Sequence, residues 1–151
     1  ELSNEEKLQQ EVERLNDQVY RLSAEISNIQ KRNAKERQDA AKYRSQSLAQ
    51  NLLNVIDNLE RAIASPSESE EAQNLKKGVE MVYEGFLYAL KEEGIEEIDA
   101  LNQPFDPTLH HAVQTVPVEE GKEADHVVQV YQKGYKLKDR VLRPAMVIVS
   151  Q

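Results

Sequence analysis

The stretch "LQQEVERLNDQVYRLSAEISNI", residues 8–29, decides the architecture. Its strong apolar residues are Leu8, Val12, Leu15, Val19, Leu22, Ile26 and Ile29. Their spacing alternates four and three without error, which is the heptad seam of a coiled coil. β-Branched residues hold the a positions (Val12, Val19, Ile26) and leucine most of the d positions (Leu8, Leu15, Leu22). That combination favours two parallel strands. The flanking residues, such as Glu11, Gln18, Ser23 and Glu25, are polar or acidic and constrain partner choice weakly. The spacing predicts a homodimer. The competing reading is one amphipathic helix lying on its own domain, but no other part of the chain offers a core large enough to cover so long a stripe.

Downstream the pattern fades without breaking. Continuing the heptad places Asn33, Ala40 and Ser47 at a, with Glu36 and Tyr43 at d. Neither Pro nor Gly interrupts residues 1–63, so one continuous helix is predicted, with a weak seam over 30–47 that loosens first on heating. At Leu48 strong apolar residues return (Leu52, Leu53, Val55, Ile56, Leu59, Ile63), out of register with the first seam and wider than a pair of helices requires. A further helix must pack there. "SPSESEEAQ" supplies a polar turn with Ser67 and Glu70 spaced as a capping box. The helix after it carries Leu75, Val79, Val82, Phe86 and Leu90 on one face and ends at Gly94. Two such helices from each of two chains make a four-helix bundle.

From Gly94 the texture changes. Pro104, Pro107 and Pro117 block long helices, and "HVVQVYQKGYKLKDRVLRPAMVIVS" reads as β-strands with turns near Gly134 and Lys138–Asp139. Gly134 is expected to supply a left-handed backbone conformation, and Pro144 to mark an edge or bulge. The fold class is therefore α+β: a long helix over 1–47 in a parallel dimeric coiled coil, a bundle segment over 48–94, and a small all-β domain over 95–151.

Composition bounds the function. Net charge is −8 and mean hydropathy −0.70, which suits long helices with a narrow buried stripe and argues against general binding to phosphate backbones. The absence of cysteine removes thiol chemistry. No apolar run approaches a membrane span, and the reading is a cytoplasmic protein, with an N-terminal piece missing before Glu1. His110, His111 and His126 lack cysteine companions and read as structural or surface groups rather than metal ligands. No Gly-rich phosphate loop and no matched acid–base pair stand out, so neither a cofactor nor catalysis is expected. "KRNAKERQDAAKYR" (31–44) carries six basic residues, but it follows the heptads, whereas in zipper-type DNA readers the basic region precedes them. Glu36 and Asp39 also interrupt the charge. A solvated face, or a charged flank for a protein partner, fits better than nucleic-acid binding.

Four segments, "LLNVIDNLERAI" (52–63), "KGVEMVYEGFLYALKEEGIEEI" (77–98), "QPFDPTLHHAV" (103–113) and "VVQVYQKGYKLKDRVLRPAMVIVS" (127–150), resemble signature segments of the GrpE family. That family comprises nucleotide exchange factors of DnaK, the heat-shock 70 class chaperone. The likeness covers about residues 24–151, and the heptad region matches in type only. The resemblance implies a parallel dimer, a four-helix bundle and β-rich heads, one of which reaches into the chaperone's ATPase domain. No group need touch the nucleotide. A coiled-coil scaffold with a peptide-binding β-domain is the alternative.

The resemblance points to Arg140, Tyr131, Lys133 and Met146, with Val149 nearby, as contacts to the ATPase domain. Arg140 suits carboxylates on a partner because its charged fork is planar, although pairing to Asp139 would occupy it equally well. Tyr131 and Met146 also suit a small β-core. Asn58 and Arg61 form a second candidate surface. Gly78 and Gly85, costly inside a helix, suggest close approach of another backbone, and the resemblance favours Gly78 as interface-sensitive. Two long-helix positions that are basic in some relatives read Gln30 and Asp39 here, which shifts the expected contact to Lys31, Arg32 and Lys35.

Overall fold

The computed structural model describes residues 1–151 as two compact units, Glu1–Arg44 and Ser45–Gln151. The first is helix α1 (Asn4–Lys42). Ser3 starts it with a capping box: Ser3 Oγ accepts from the Glu6 amide at 3.2 Å, and Glu6 Oε2 accepts from the Ser3 amide at 2.7 Å. No residue of α1 is buried. The seven seam residues are between 37% (Ile29) and 66% (Leu8) exposed, so the stripe has the predicted spacing and stands open.

The predicted continuous helix does not form. Helical structure stops at Lys42, turns through Tyr43–Ser45 and resumes as α2 (Gln46–Ala64). Tyr43 (φ −112°, ψ 21°) and Ser45 (φ −94°, ψ 2°) lie in the sparsely populated bridge region. No Pro or Gly causes the break. The seam residues here, Ala40, Tyr43 and Ser47, lose little when interrupted, and tertiary ties take over. Arg140 Nη1 donates to Gln46 Oε1 at 2.9 Å, and Ala49 is buried one turn into α2.

In the second unit α2 buries Ala49, Leu53 and Ile56, an i, i+4, i+7 stripe, and meets α3 (Glu70–Glu92) and the strand β5 (Arg140–Arg143). The α3 cap differs from expectation. Ser69, not Ser67, is the N-cap, its Oγ accepting from the Ala72 amide at 3.1 Å. The helix starts too late for Ser67 to reach it, and Glu70 and Glu71 instead place negative charge at its positive end. Gly94 ends the helix at φ 83°, the left-handed residue that a C-terminal glycine provides.

Six strands follow: β1 (Ile95–Glu97), β2 (His110–Val116), β3 (Val127–Gln132), β4 (Tyr135–Leu137), β5 (Arg140–Arg143) and β6 (Ala145–Ser150). They form two three-stranded sheets, β1-β4-β5 and β2-β6-β3. In the second, β6 is central, parallel to β2 and antiparallel to β3. Its core is Ala100, Val127, Ala145, Val147 and Val149, with Phe105 and Val130 packed against it. The turn expected at Lys138–Asp139 is present, with Lys138 at φ 53°.

The chain passes between the sheets three times, once by the long connection over residues 98–109 and twice by short steps, at Lys133–Gly134 and at Pro144. Gly134 is not left-handed, contrary to expectation. It is required by crowding: a Cβ there would stand 2.3 Å from the Ala145 amide nitrogen and 2.8 Å from the Arg143 carbonyl oxygen. Pro144 lies just past the end of β5, an edge strand with a register shift between Val141 and Arg143, on the step into the central strand β6, where no ladder hydrogen bond is forfeited.

Candidate functional site

The residues that the sequence singles out fall into separate groups. Tyr131 on β3 is 71% exposed rather than part of a core, because Gln132, opposite Met146 across a register shift, takes the inward position. Met146 on β6 is half-buried, and Val149 is core at 5% exposed, so it shapes the strand rather than offering a side chain. Arg140 is exposed on β5 in the other sheet and binds Gln46. Asn58 and Arg61 lie together on the exposed face of α2, with Arg61 Nη2 donating to Asn58 Oδ1. Gly78 and Gly85 are exposed on α3 with nothing within 4 Å of a Cβ at either, so no backbone of this chain approaches them. Lys31, Arg32 and Lys35 are exposed on α1, in the other unit.

Lys133 leads to a feature that the sequence reading missed. Its ammonium lies 3.5 Å from Glu60 Oε1 and 3.8 Å from Glu97 Oε2, and donates to the Tyr83 hydroxyl at 3.4 Å. Tyr83 and Tyr135 both donate to Glu60 Oε1, at 2.9 and 3.3 Å. One turn earlier on α2, Asp57 receives a two-pronged bond from Arg143: Nη1 to Oδ2 at 2.7 Å and Nη2 to Oδ1 at 2.9 Å. Arg143 also donates to the Lys133 carbonyl oxygen, from Nη2 at 2.6 Å and Nε at 3.1 Å. Gln132 Nε2 completes the set on Asp57 Oδ2 at 3.2 Å. The Arg143 guanidinium sits 5.7 Å from the centre of the Tyr135 ring, within cation–π range.

The electrostatics follow from this packing. Burial pushes the Tyr135 hydroxyl far above its ordinary range, and the Glu60 carboxylate adds to the shift. Tyr83 moves up for the same two reasons. Burial raises Glu97, only partly offset by Lys133. Burial by itself would lower the Lys133 ammonium, but Glu97 and Glu60 outweigh it and hold it above its ordinary range. Elsewhere, the Thr108 hydroxyl and amide donate to Asp106 Oδ1 at 2.7 and 2.9 Å and hold that carboxyl below the usual range. The adjacent His110 is 4% exposed, and its Nδ1 accepts from the Asp106 amide at 3.0 Å. No group of three or more histidine and carboxylate side chains converges to hold a metal.

Two helices and two linked sheets thus meet at a partly buried charge cluster, while Tyr131, Arg140, Asn58 and Arg61 are exposed on separate elements. The sequence profile of the GrpE family matches residues 1–151. The chain belongs to the GrpE family. Protein GrpE of Latilactobacillus sakei subsp. sakei is 55% identical over 144 residues, covering 95% of this chain and 72% of the relative. Protein GrpE of Enterococcus faecalis is 54% identical over 146 residues, 97% of this chain and 82% of the relative. Protein GrpE of Tetragenococcus halophilus is 52% identical over 150 residues, 99% and 78% respectively. The family resemblance read from four segments thus extends over the full chain, α1 included.

Proposed function

We infer that this chain is a nucleotide exchange factor and co-chaperone that accelerates ADP release from a DnaK-type chaperone. Family membership over residues 1–151 carries the reading. The factor favours the open form of the chaperone's nucleotide cleft, so binding lowers ADP affinity, and ADP lowers affinity for the factor by the same ratio. The open form, a minor population in the free chaperone, becomes the bound one. ATP entry then closes the cleft and expels the factor. The chain acts on a partner's conformation, makes no contact with the nucleotide, needs no cofactor and catalyses no bond change of its own.

The working form is a homodimer in the cytoplasm, associated with neither membrane nor nucleic acid. No helix of this chain is long and apolar enough to cross a membrane. Residues 1–47 pair along the seam from Leu8 to Ile29, residues 48–94 complete a four-helix bundle, and 95–151 form the head. The open stripe of α1 supports the pairing, as do the exposed Leu75 and Val82 on α3. Tyr131, Arg140 and Met146 face the chaperone from the head, while Asn58, Arg61 and Gly78 do so from the helices, with Lys31, Arg32 and Lys35 as the basic flank. Lys133 and Val149 contribute by holding the head's shape. The test is release of fluorescent ADP from the chaperone with and without saturating factor, together with sedimentation. Acceleration by a dimer is expected. Unchanged release, or full activity from unpaired chains, overturns the reading.

A further inference from the structure

Both short passages between the sheets, Gln132–Gly134 and Arg143–Ala145, converge on one carboxylate. Asp57 takes Gln132 from the first passage and the Arg143 fork from the second, while Arg143 ties back to the carbonyl of Lys133. Glu60, three residues along α2, gathers Tyr83 from α3 and Tyr135 from β4. The fork is largely enclosed, with side chains 18% (Arg143) and 14% (Asp57) exposed. Apolar burial such as that of Leu53 and Ile56 on α2 is non-directional, so it fixes no angle. An ion pair at this depth adds little net stability, because desolvation offsets the attraction. What a two-pronged pair with five satisfied bonds does supply is geometry. Gly134, packed under the second passage, removes the remaining slack.

We propose that Asp57 and Arg143 are positioning residues for nucleotide exchange, locking both sheets at one angle on α2 so that the head discriminates between open and nucleotide-loaded chaperone. The inference rests on the exchange-factor reading. A head free to swivel fits the open and closed forms more equally, and the ratio of its affinities for them falls. By linkage that ratio is the factor by which ADP is weakened. A change that merely unfolded a fraction of the heads would lower both affinities alike and leave the ratio intact.

The experiment measures affinity for nucleotide-free and ADP-loaded chaperone, and ADP release at saturating factor, for the full chain and for Arg143→Lys and the milder Asp57→Asn. Loss of one charge-assisted bond corresponds to about tenfold, so the affinity ratio and the saturating rate should both fall about tenfold. The chain has no cysteine, so Ala62→Cys and Thr115→Cys take spin labels without background. In samples diluted with unlabelled chain, the label-to-label distance distribution should be narrow in the parent and broad in both variants. An unchanged ratio, equal loss of both affinities, or a distribution that stays narrow overturns the proposal. Failure of the parent chain to accelerate release at all would instead sink the exchange-factor reading.

Discussion

Replacing Gly134 by alanine adds one methyl group and should unsettle the whole second unit. The new Cβ would lie 2.3 Å from the Ala145 nitrogen, 2.7 Å from the Pro144 carbonyl carbon and 2.8 Å from the Arg143 carbonyl oxygen. Ordinary carbon contacts begin near about 3.5 Å, and all three neighbours are backbone, which cannot swing aside as a side chain would. Either the β5–β6 step withdraws, or Gly134 does. If Gly134 moves, the bond from the Ile98 amide to its carbonyl oxygen (2.8 Å) is stretched, along with those from Arg143 to Lys133. Overpacking costs about 1–3 kcal/mol, a backbone hydrogen bond about 1, and a charge-assisted one about 1.5–3. Stiffening the unfolded chain returns about 0.4–1 kcal/mol. The net loss should be about 3–5 kcal/mol, a large part of the roughly 5–15 kcal/mol that holds a domain folded. Urea unfolding followed by circular dichroism, at one protein concentration because association shifts the midpoint, reads this directly. A loss below about 1 kcal/mol would refute the crowding argument.

Two further outcomes follow from particular groups. Tyr135, Tyr83 and Lys133 all keep their protons to higher pH in the folded protein than in the unfolded chain. Their stabilisation is therefore complete below the unfolded values of 10.0 and 10.5 and is lost as pH rises beyond them. The urea midpoint should fall as pH rises above about 10, and Tyr135→Phe should make that fall shallower; an equally steep fall in the variant would contradict the assignment. On α3, Gly78→Ala and Gly85→Ala meet open space within the chain, so each should stabilise the isolated helix by about 0.5–1 kcal/mol. A weaker dimer on sedimentation, despite that gain, would show that a second chain's backbone needs those glycines.

What could be read from the sequence was whatever one segment settles alone. The heptad seam is visible because Leu8 through Ile29 sit on a surface their own chain leaves open, so nothing distorts the period. Gly94 and the Lys138–Asp139 turn are local backbone requirements and carry local residue signals. The break at Tyr43–Ser45 has no such signal, since what favours it includes the bond to Gln46 from Arg140, 94 positions further along the chain. Asp57, Glu60 and Arg143 were missed for the same reason. A helical carboxylate and a strand arginine look like ordinary surface charge until the fold brings them together, and 86 residues separate the two ends of the fork. Gly134 stands out in the sequence but its purpose does not: a glycine needed for a neighbour's backbone reads the same as one needed for its own torsion angles.

The position of β6 has a bearing on how the molecule is made. The middle strand of the β2-β6-β3 sheet is the last of the six along the chain, and its parallel mate β2 begins 35 residues earlier, at His110 opposite Ala145. On the ribosome, then, β2 and β3 emerge with no central strand to join them, and the core residues Val127 and Val130 of β3 wait until Ala145–Ser150 leave the exit tunnel. The helices close their local hydrogen bonds as they appear. During synthesis the newborn head is thus the part of this chaperone partner most exposed to aggregation, and the part that would itself profit from a holding chaperone.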